Sequence, residues 1–348
     1  MATSFVRPPK LQPGDKVAIL SPSSGLPEIF PAVYEQGLRR LQDLFQLTPV
    51  EYPTTCKMNS LPTERAEDVH AAFLDPEIKG IISSIGGDDE IKVLKYLDLD
   101  VLKAHPKAFF GYSDNTNLHL LLWNLGIVSY YRGSILVHFG RGGSMHPYTI
   151  SSLKKALFEQ GTFELQPASS WTDQFQDWND PRSLQQEPQM FPGTGWQWHN
   201  EGQIVEGITW GGNLEIISWN LSANRYILPV ETYAGKIFYL ETSEEMPSAT
   251  EVYRILMCMG ERGLLEQFSA VLVARPQSWS FEKPYNAQEK VRFCQEQKDA
   301  ILNALSEYNP GAMVIFDLDF GHTDPQCIIP NGGKISIDGI QKQIFVAY

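Results

Sequence analysis

The chain predicts an α/β protein: an N-terminal domain on a parallel sheet, followed by a smaller domain of mixed α/β character. Three observations carry this. Short apolar β runs alternate with helical periodicity as far as about Leu125. A tryptophan-rich stretch without sustained periodicity follows from about residue 166. Short β runs with only two helical segments make up the rest. Strands that alternate with helices form β-α-β units, and their ligands bind at the carboxyl ends of the strands.

In chain order, KVAIL at 16–20 is a strand, SPSSGLPE a turn, and Val33, Leu38, Leu41 and Leu44 recur at helical spacing. A second helix over about 63–74 leads into IKGIISSIGG, a strand that ends in a glycine turn, and a helix over about 89–97 follows. KAFFGYSD repeats the pattern before a helix from about Asn115 to Leu125. Residues 166–200 hold Trp171, Trp178, Trp196 and Trp198, too many aromatics for a disordered segment. Beyond them GKIFYLET, AVLVARP, AMVIFDLDF, KISIDG and KQIFVAY read as strands, with helices near 249–261 and 286–307. The expected division is 1–160, an insert or linker over 161–205, and 206–348.

Composition removes several function classes. With 43% hydrophobic and 20% charged residues the chain is that of an ordinary globular protein. A formal net charge of −13 argues against a nucleic-acid partner, which needs a basic face. No apolar run approaches the ~20 residues of a membrane span, and MATSFVRPPKLQPGDKVAIL lacks a signal pattern, so a cytoplasmic location is expected. Cys56, Cys258, Cys294 and Cys327 form no C-x-x-C pair, and the seven histidines include no H-E-x-x-H. Neither a disulfide framework nor a metal site is expected. Asp317 and Asp319 share one face of a strand pattern but have no histidine at ligand spacing.

The stretch Gly111-Tyr112-Ser113-Asp114-Asn115 places a serine between a strand and a helix. Such a corner can lift a nucleophile into the open beside backbone N–H groups at a helix N-terminus. It departs from G-x-S-x-G at Asn115, and a serine here can equally well cap the helix. Ser84-Ile85-Gly86-Gly87 is a second turn at a strand's carboxyl end, either a donor of N–H groups to an oxyanion or a plain βα turn. A serine needs a base, and the base an orienting group. His322 in FDLDFGHTDPQ stands in a loop just past a strand, whereas His119 on a helix and His138 in a β-like run read as packing residues. Glu241, the first acid after KIFYL, suits the third role better than Glu244 or Glu245 further along the loop.

With these residues in view, the chain resembles the LD-carboxypeptidase and microcin C immunity family. The resemblance runs in order through GDKVAILSPSS, RAEDVHAAFLDPEIKGIISSIGG, GYSDNT, WGGNLEII, GKIFYLET and GHTDPQCIIPNGG. It implies a serine peptidase with Ser113, Glu241 and His322 as triad, the N–H groups of Gly87 and Asp114 as oxyanion hole, and Asn213 of WGGNLEII as a substrate-binding residue. It also implies a C-terminal domain of swivelling type, an active site between the domains, no metal or organic cofactor, and a homodimer.

The tryptophan-rich insert is similar to that of the microcin immunity branch, in which the amide joining a peptidyl or aminoacyl group to a nucleotide-like moiety is hydrolysed. Trp178 and Trp196 are then expected to bind substrate by stacking on a base, unless the tryptophans only pack the loop onto the body. Two alternatives stand beside this reading: trimming of peptidoglycan tetrapeptides, and non-catalytic binding of a small ligand. The Asp88-Asp89 pair after Gly87 adds negative charge that disfavours a substrate's free carboxylate.

Overall fold

The computed structural model describes residues 5–348, so the reading of the N-terminus for a signal pattern begins in residues outside this range. The first sheet is assembled from β1 (Lys16–Leu20), β2 (Thr48–Glu51), β3 (Ile78–Ser83), β4 (Ala108–Gly111) and β5 (Ser129–Tyr131), all parallel. The following strands are β6 (Thr162–Leu165), β7 (Ser170–Trp171), β8 (Phe191–Pro192) and β9 (Gln197–His199). Then come β10 (Ile204–Asn213), β11 (Lys236–Glu241), β12 (Phe268–Ala274), β13 (Met313–Leu318), β14 (Ile329–Asn331), β15 (Lys334–Asp338) and β16 (Gln343–Ala347). The second sheet has the order β6-β16-β15-β10-β11-β12-β13-β9, parallel from β10 to β13 and antiparallel towards both edges.

The two sheets exchange strands, which the sequence division does not show. β14 leaves the C-terminal half to pair antiparallel with β5, closing the first sheet in the order β14-β5-β4-β3-β1-β2. β6, from the end of the N-terminal half, forms an edge of the second sheet. Part of the stretch expected to be a linker is sheet as well, since β9 pairs with β13.

Strands β3 and β4 are apolar runs because both their faces are covered, as in parallel sheets generally. The helix Thr116–Asn124 after β4 is apolar almost all round for a similar reason: Thr116 through Trp123 are all buried. Leu118, Leu121 and Leu122 pack into the core beside Phe109, while Leu120 and Trp123 enter the core around Trp210 in the other half. Polar ties add direction. Trp123 Nε1 donates to the Thr209 carbonyl at 2.9 Å, and Asn220 Nδ2 to Asn117 Oδ1 at 2.8 Å.

Two local expectations are corrected. His138 lies in a π-helical turn, Ile135–Phe139, and not in a strand. The helix expected over 89–97 is two short ones, Ile91–Leu94 and Leu99–Ala104, with Asp98 capping the second. Asp317 and Asp319 meet different partners: Asp317, at φ +66°, pairs with Lys298 at 2.6 Å, and Asp319 faces Arg275 at 3.7 Å. Helices Pro147–Phe158 and Leu214–Ser222 add to those read from the sequence. No helix among the described residues is long and apolar enough to cross a membrane.

Because Trp123 is 1% exposed and joins the two halves, Trp123→Ala should cost about 3–5 kcal/mol. Ile340→Ala, at a residue 63% exposed, should change stability by no more than about 0.5 kcal/mol. Urea midpoints at unchanged m decide the comparison.

Candidate active site

Strand β4 delivers Ser113 to the corner between sheet and helix with φ +60°, a left-handed conformation that costs a non-glycine residue about 1–3 kcal/mol. Neighbouring groups maintain it. The Ser113 N–H donates to the Tyr131 hydroxyl at 3.2 Å. The side chain of Asp114, fully buried, accepts from Ser23 Oγ at 2.5 Å, from the backbone N–H groups of Asp89 and Glu90 at 2.9 Å, and from Asn117 Nδ2 at 2.8 Å. Burial raises its pKa while these donors oppose the rise. The Asp114 carboxylate thereby fastens the loop after β3 to the serine corner.

The glycines of that loop are required by space. A Cβ at Gly86 would stand 3.0 Å from Ser113 Cβ and 3.3 Å from the Asp114 nitrogen. Gly87 has φ +157°, and a Cβ there would meet Ser24 Cβ at 3.1 Å. The Gly86-Gly87 turn and the Asp114 N–H therefore flank the serine. Asp89 does not add free charge here, because Arg65 holds it through two hydrogen bonds of 2.6 and 3.0 Å. Asp88 is exposed in the cavity wall.

Glu241 ends β11, and His322, in the cavity lining, follows β13. His322 Nδ1 lies 2.5 Å from Glu241 Oε2. The other oxygen, Oε1, accepts from the Tyr131 hydroxyl at 2.7 Å and from Asn213 Nδ2 at 3.2 Å. Arg132, wholly buried, comes within 3.6 Å of Glu241, and its guanidinium lies 3.9 Å over the Tyr112 ring. Burial disfavours the charged carboxylate, yet His322, Arg132 and Tyr131 keep its pKa below the usual value.

The far nitrogen of His322 is engaged as well. Nε2 lies 3.1 Å from Glu244 Oε2, on a side chain 54% exposed. Desolvation works against imidazolium, but Glu241 and then Glu244 raise His322 to about 10, while His322 draws Glu244 down to about 2 against its own desolvation. The Ser113 hydroxyl makes no hydrogen bond among the described residues. His119, pushed down to about 4 by burial, is fixed between Ser129 Oγ and the Gly111 carbonyl. His138 is also buried, its pKa lowered well below the ordinary value by desolvation and by Arg132.

Ser113, His322 and Glu244 open into a cavity of about 780 Å³ that is also lined by Gly87, Tyr112 and Trp178. Of the insert tryptophans, Trp178 alone is in its lining, set edge-on against Phe30 with centroids 5.2 Å apart. Two expected substrate-binding residues stand elsewhere. Trp196 donates its ring N–H to Asp319 at 3.2 Å and packs on the main core. Asn213 is 1% exposed: its amide supports Glu241, and its oxygen caps helix Leu214–Ser222 through the Ile216 N–H at 3.0 Å. Tyr131 and Arg132 were missed from sequence, because nothing in YYRG reveals that these residues face a glutamate more than a hundred positions away.

Ser113 and His322 line one cavity, and the imidazole is hydrogen-bonded to a buried carboxylate. The relatives define the class. Residues 17–132 match the LD-carboxypeptidase N-terminal domain of peptidase family S66, and residues 206–337 match its C-terminal domain. The chain belongs to this family of serine peptidases.

It is 28% identical over 345 residues to YocD of Bacillus subtilis strain 168, a protein named as a carboxypeptidase, with 95% of each chain covered. It is 26% identical over 290 residues to the microcin C7 self-immunity protein MccF of Escherichia coli, covering 81% of this chain and 78% of that one. The crystal structure of an MccF-like protein from Streptococcus pneumoniae in complex with AMP superposes with a TM-score of 0.83 at 27% identity, over 96% of this chain and 99% of that one.

The geometry sets expected kinetics. If His322 is the base it must be neutral to accept a proton, so kcat/KM on any cleaved amide should rise with pH on a limb that reports its free-enzyme pKa. Glu244→Gln removes one of the two carboxylates that raise this pKa, so the limb should move to lower pH. Glu241→Gln should cost far more in kcat, about 10⁴-fold, because the tautomer and the orientation are lost together. A pH–rate profile of the three enzymes tests this; equal kcat losses in the two variants would move the orienting role away from Glu241.

Proposed function

We propose that this chain is a serine amidase of the carboxypeptidase type that hydrolyses the amide of an aminoacyl- or peptidyl-nucleotide, in self-immunity or detoxification. The observation that carries this reading is the position of Trp178. It lines the same cavity as Ser113 and His322, where an indole face can receive a base while the amide lies at the serine. Similarity supports it: a relative is named for microcin immunity, and a neighbour of the same fold was solved with AMP. The expectation of a simple binding protein gives way to family membership. Trimming of peptidoglycan tetrapeptides calls for a partner to a free carboxylate, and no Lys or Arg is among the described residues lining the cavity.

In the proposed reaction Ser113 Oγ attacks the acyl carbon while His322 Nε2 takes the hydroxyl proton. The N–H groups of Gly87 and Asp114 receive the developing oxyanion, an effect worth roughly 3–4 kcal/mol where one such donor has been removed. The proton passes from Nε2 to the leaving nitrogen as the C–N bond breaks. Water then attacks the acyl-enzyme, with His322 as base again, and releases the acid. Glu241 holds Nδ1–H throughout and stabilises imidazolium.

Ser113→Ala should keep a native circular dichroism spectrum and lose turnover to the level of roughly 10³–10⁴-fold over water that triad-deficient peptidases retain. A variant with several per cent of wild-type kcat would remove Ser113 as nucleophile. Trp178→Ala should lower kcat/KM for an aminoacyl adenylate analogue by roughly 5–150-fold, the equivalent of about 1–3 kcal/mol of base stacking. It should barely change cleavage of a base-free peptide. Trp196→Ala should lower stability instead, as seen by urea denaturation with both substrates run in parallel. Equal cleavage of both substrates by Trp178→Ala would make the loop a packing element and favour the peptidoglycan reading.

A further inference from the structure

We propose that Glu244 is a specificity-determining residue that receives a free α-ammonium on the acyl side of the scissile amide, so that the enzyme takes aminoacyl groups with an unblocked amine in preference to N-acylated or peptidyl ones. The inference deepens the nucleotide-amide reading and rests on it for the leaving group alone.

The argument begins with what occupies His322. Nδ1 belongs to Glu241, so Nε2 is the nitrogen that must serve Ser113 and the leaving group. That position is held by Glu244 Oε2 at 3.1 Å. Substrate must displace this contact. The displaced carboxylate belongs to a side chain 54% exposed, on the loop just after β11, in the lining of the cavity that Ser113 also lines. In an aminoacyl amide the α-nitrogen is two bonds from the carbon that Ser113 attacks. An ammonium there is the one substrate group that can take Glu244 from the imidazole while remaining next to the reacting carbon. An acetamide or peptide nitrogen at that place carries no charge and leaves Glu244 on His322.

The surrounding charges favour the same occupant. Asp88, Asp177, Glu244 and Glu245 line the cavity, and among the described lining residues His322 is the one cationic group. The nearby cations are otherwise engaged. Arg65 is spent on Asp89, Arg132 lies beneath Tyr112 against Glu241, and Lys283 Nζ donates to the backbone carbonyls of Glu245 and Met246 at 2.5 and 3.0 Å. The loop bearing Glu244 is itself anchored, since Glu215 accepts from the Ser243 N–H at 2.9 Å and its hydroxyl at 2.7 Å. Capture of Glu244 by substrate also withdraws one of the carboxylates that keep His322 charged. Recognition of the amine and release of the base are then a single event.

The test uses matched alanyl and N-acetylalanyl amides in two series, one with an adenosine 5′-phosphoramidate leaving group and one with p-nitroaniline, on the wild type and Glu244→Gln. The wild type should prefer the free amine by about 10–150-fold in kcat/KM, the range of a hydrogen bond to a charged group. In Glu244→Gln the preference should collapse towards unity, chiefly through faster cleavage of the acetylated partner. Equal cleavage of both amides by the wild type, or a preference that survives in Glu244→Gln, overturns the proposal. Discrimination kept in the p-nitroanilide series with no turnover of either phosphoramidate supports the ammonium site and overturns the nucleotide reading. No turnover in either series overturns both.

Discussion

The carboxylate of Glu241 is where the two halves of the molecule meet. One oxygen accepts from Tyr131 on the first sheet and from Asn213 on the second, and the other holds His322 from the loop after β13. An ionised carboxylate this deeply buried is expensive, and removing any one of its partners exposes that cost. Arg132 supplies the compensating charge from 3.6 Å, yet its terminal nitrogens make no hydrogen bond among the described residues. It is held instead by its Nε on the Phe320 carbonyl at 2.5 Å and by the Tyr112 ring. The imidazole can be aligned only when both sheets are in register around this one group.

The same Tyr131 hydroxyl that serves Glu241 accepts the Ser113 N–H and the Thr116 hydroxyl, the latter at 3.4 Å. Ser113 and Glu241 are thus mechanically linked without touching. Thr116 Oγ1 in turn accepts the Asn213 N–H at 3.0 Å, which closes the circuit through the second sheet. Strain at Ser113 is sustained because its N–H donates to the Tyr131 hydroxyl and the adjoining Asp114 carboxylate is held by Ser23 and by the N–H groups of Asp89 and Glu90.

Much of this was legible in the sequence, and the boundary has a physical cause. Strand, turn and helix are local, so GYSDNT revealed its corner and KIFYLET its strand-end acid. The helix 249–261 read from periodicity coincides with Ala249–Glu261, since its one buried face repeats at helical spacing. What depends on contacts distant in sequence was hidden. Asn213 was expected as a substrate contact from the resemblance, whereas its side chain turns inward to cap a helix and support Glu241. His138 read as strand because a π-helical turn has no simple period. The transfer of β14 to the first sheet leaves no trace in composition, and Trp178 and Trp196 differ in role only through where the insert is tied down.

Those ties explain why an irregular segment can shape a cavity. Asp173, buried at the start of the insert, accepts from Lys290 and from Ser278 Oγ, each at 2.6 Å, on the C-terminal half. Towards its end Glu187 takes Arg141 of the N-terminal half at 2.6 Å, and Arg141 also binds Asp324 two residues beyond His322. Between these anchors residues 175–179 line the cavity, with Trp178 held against Phe30. Chemistry is assigned to strand ends that the sheets fix, while recognition falls to loops whose sequence can change at little cost to the fold. Glu244 stands at the seam between the two: it follows the fixed strand end that carries Glu241, yet its side chain faces the variable space where substrate enters. A carboxylate in that place can act on catalysis and on selection through the same nitrogen of His322.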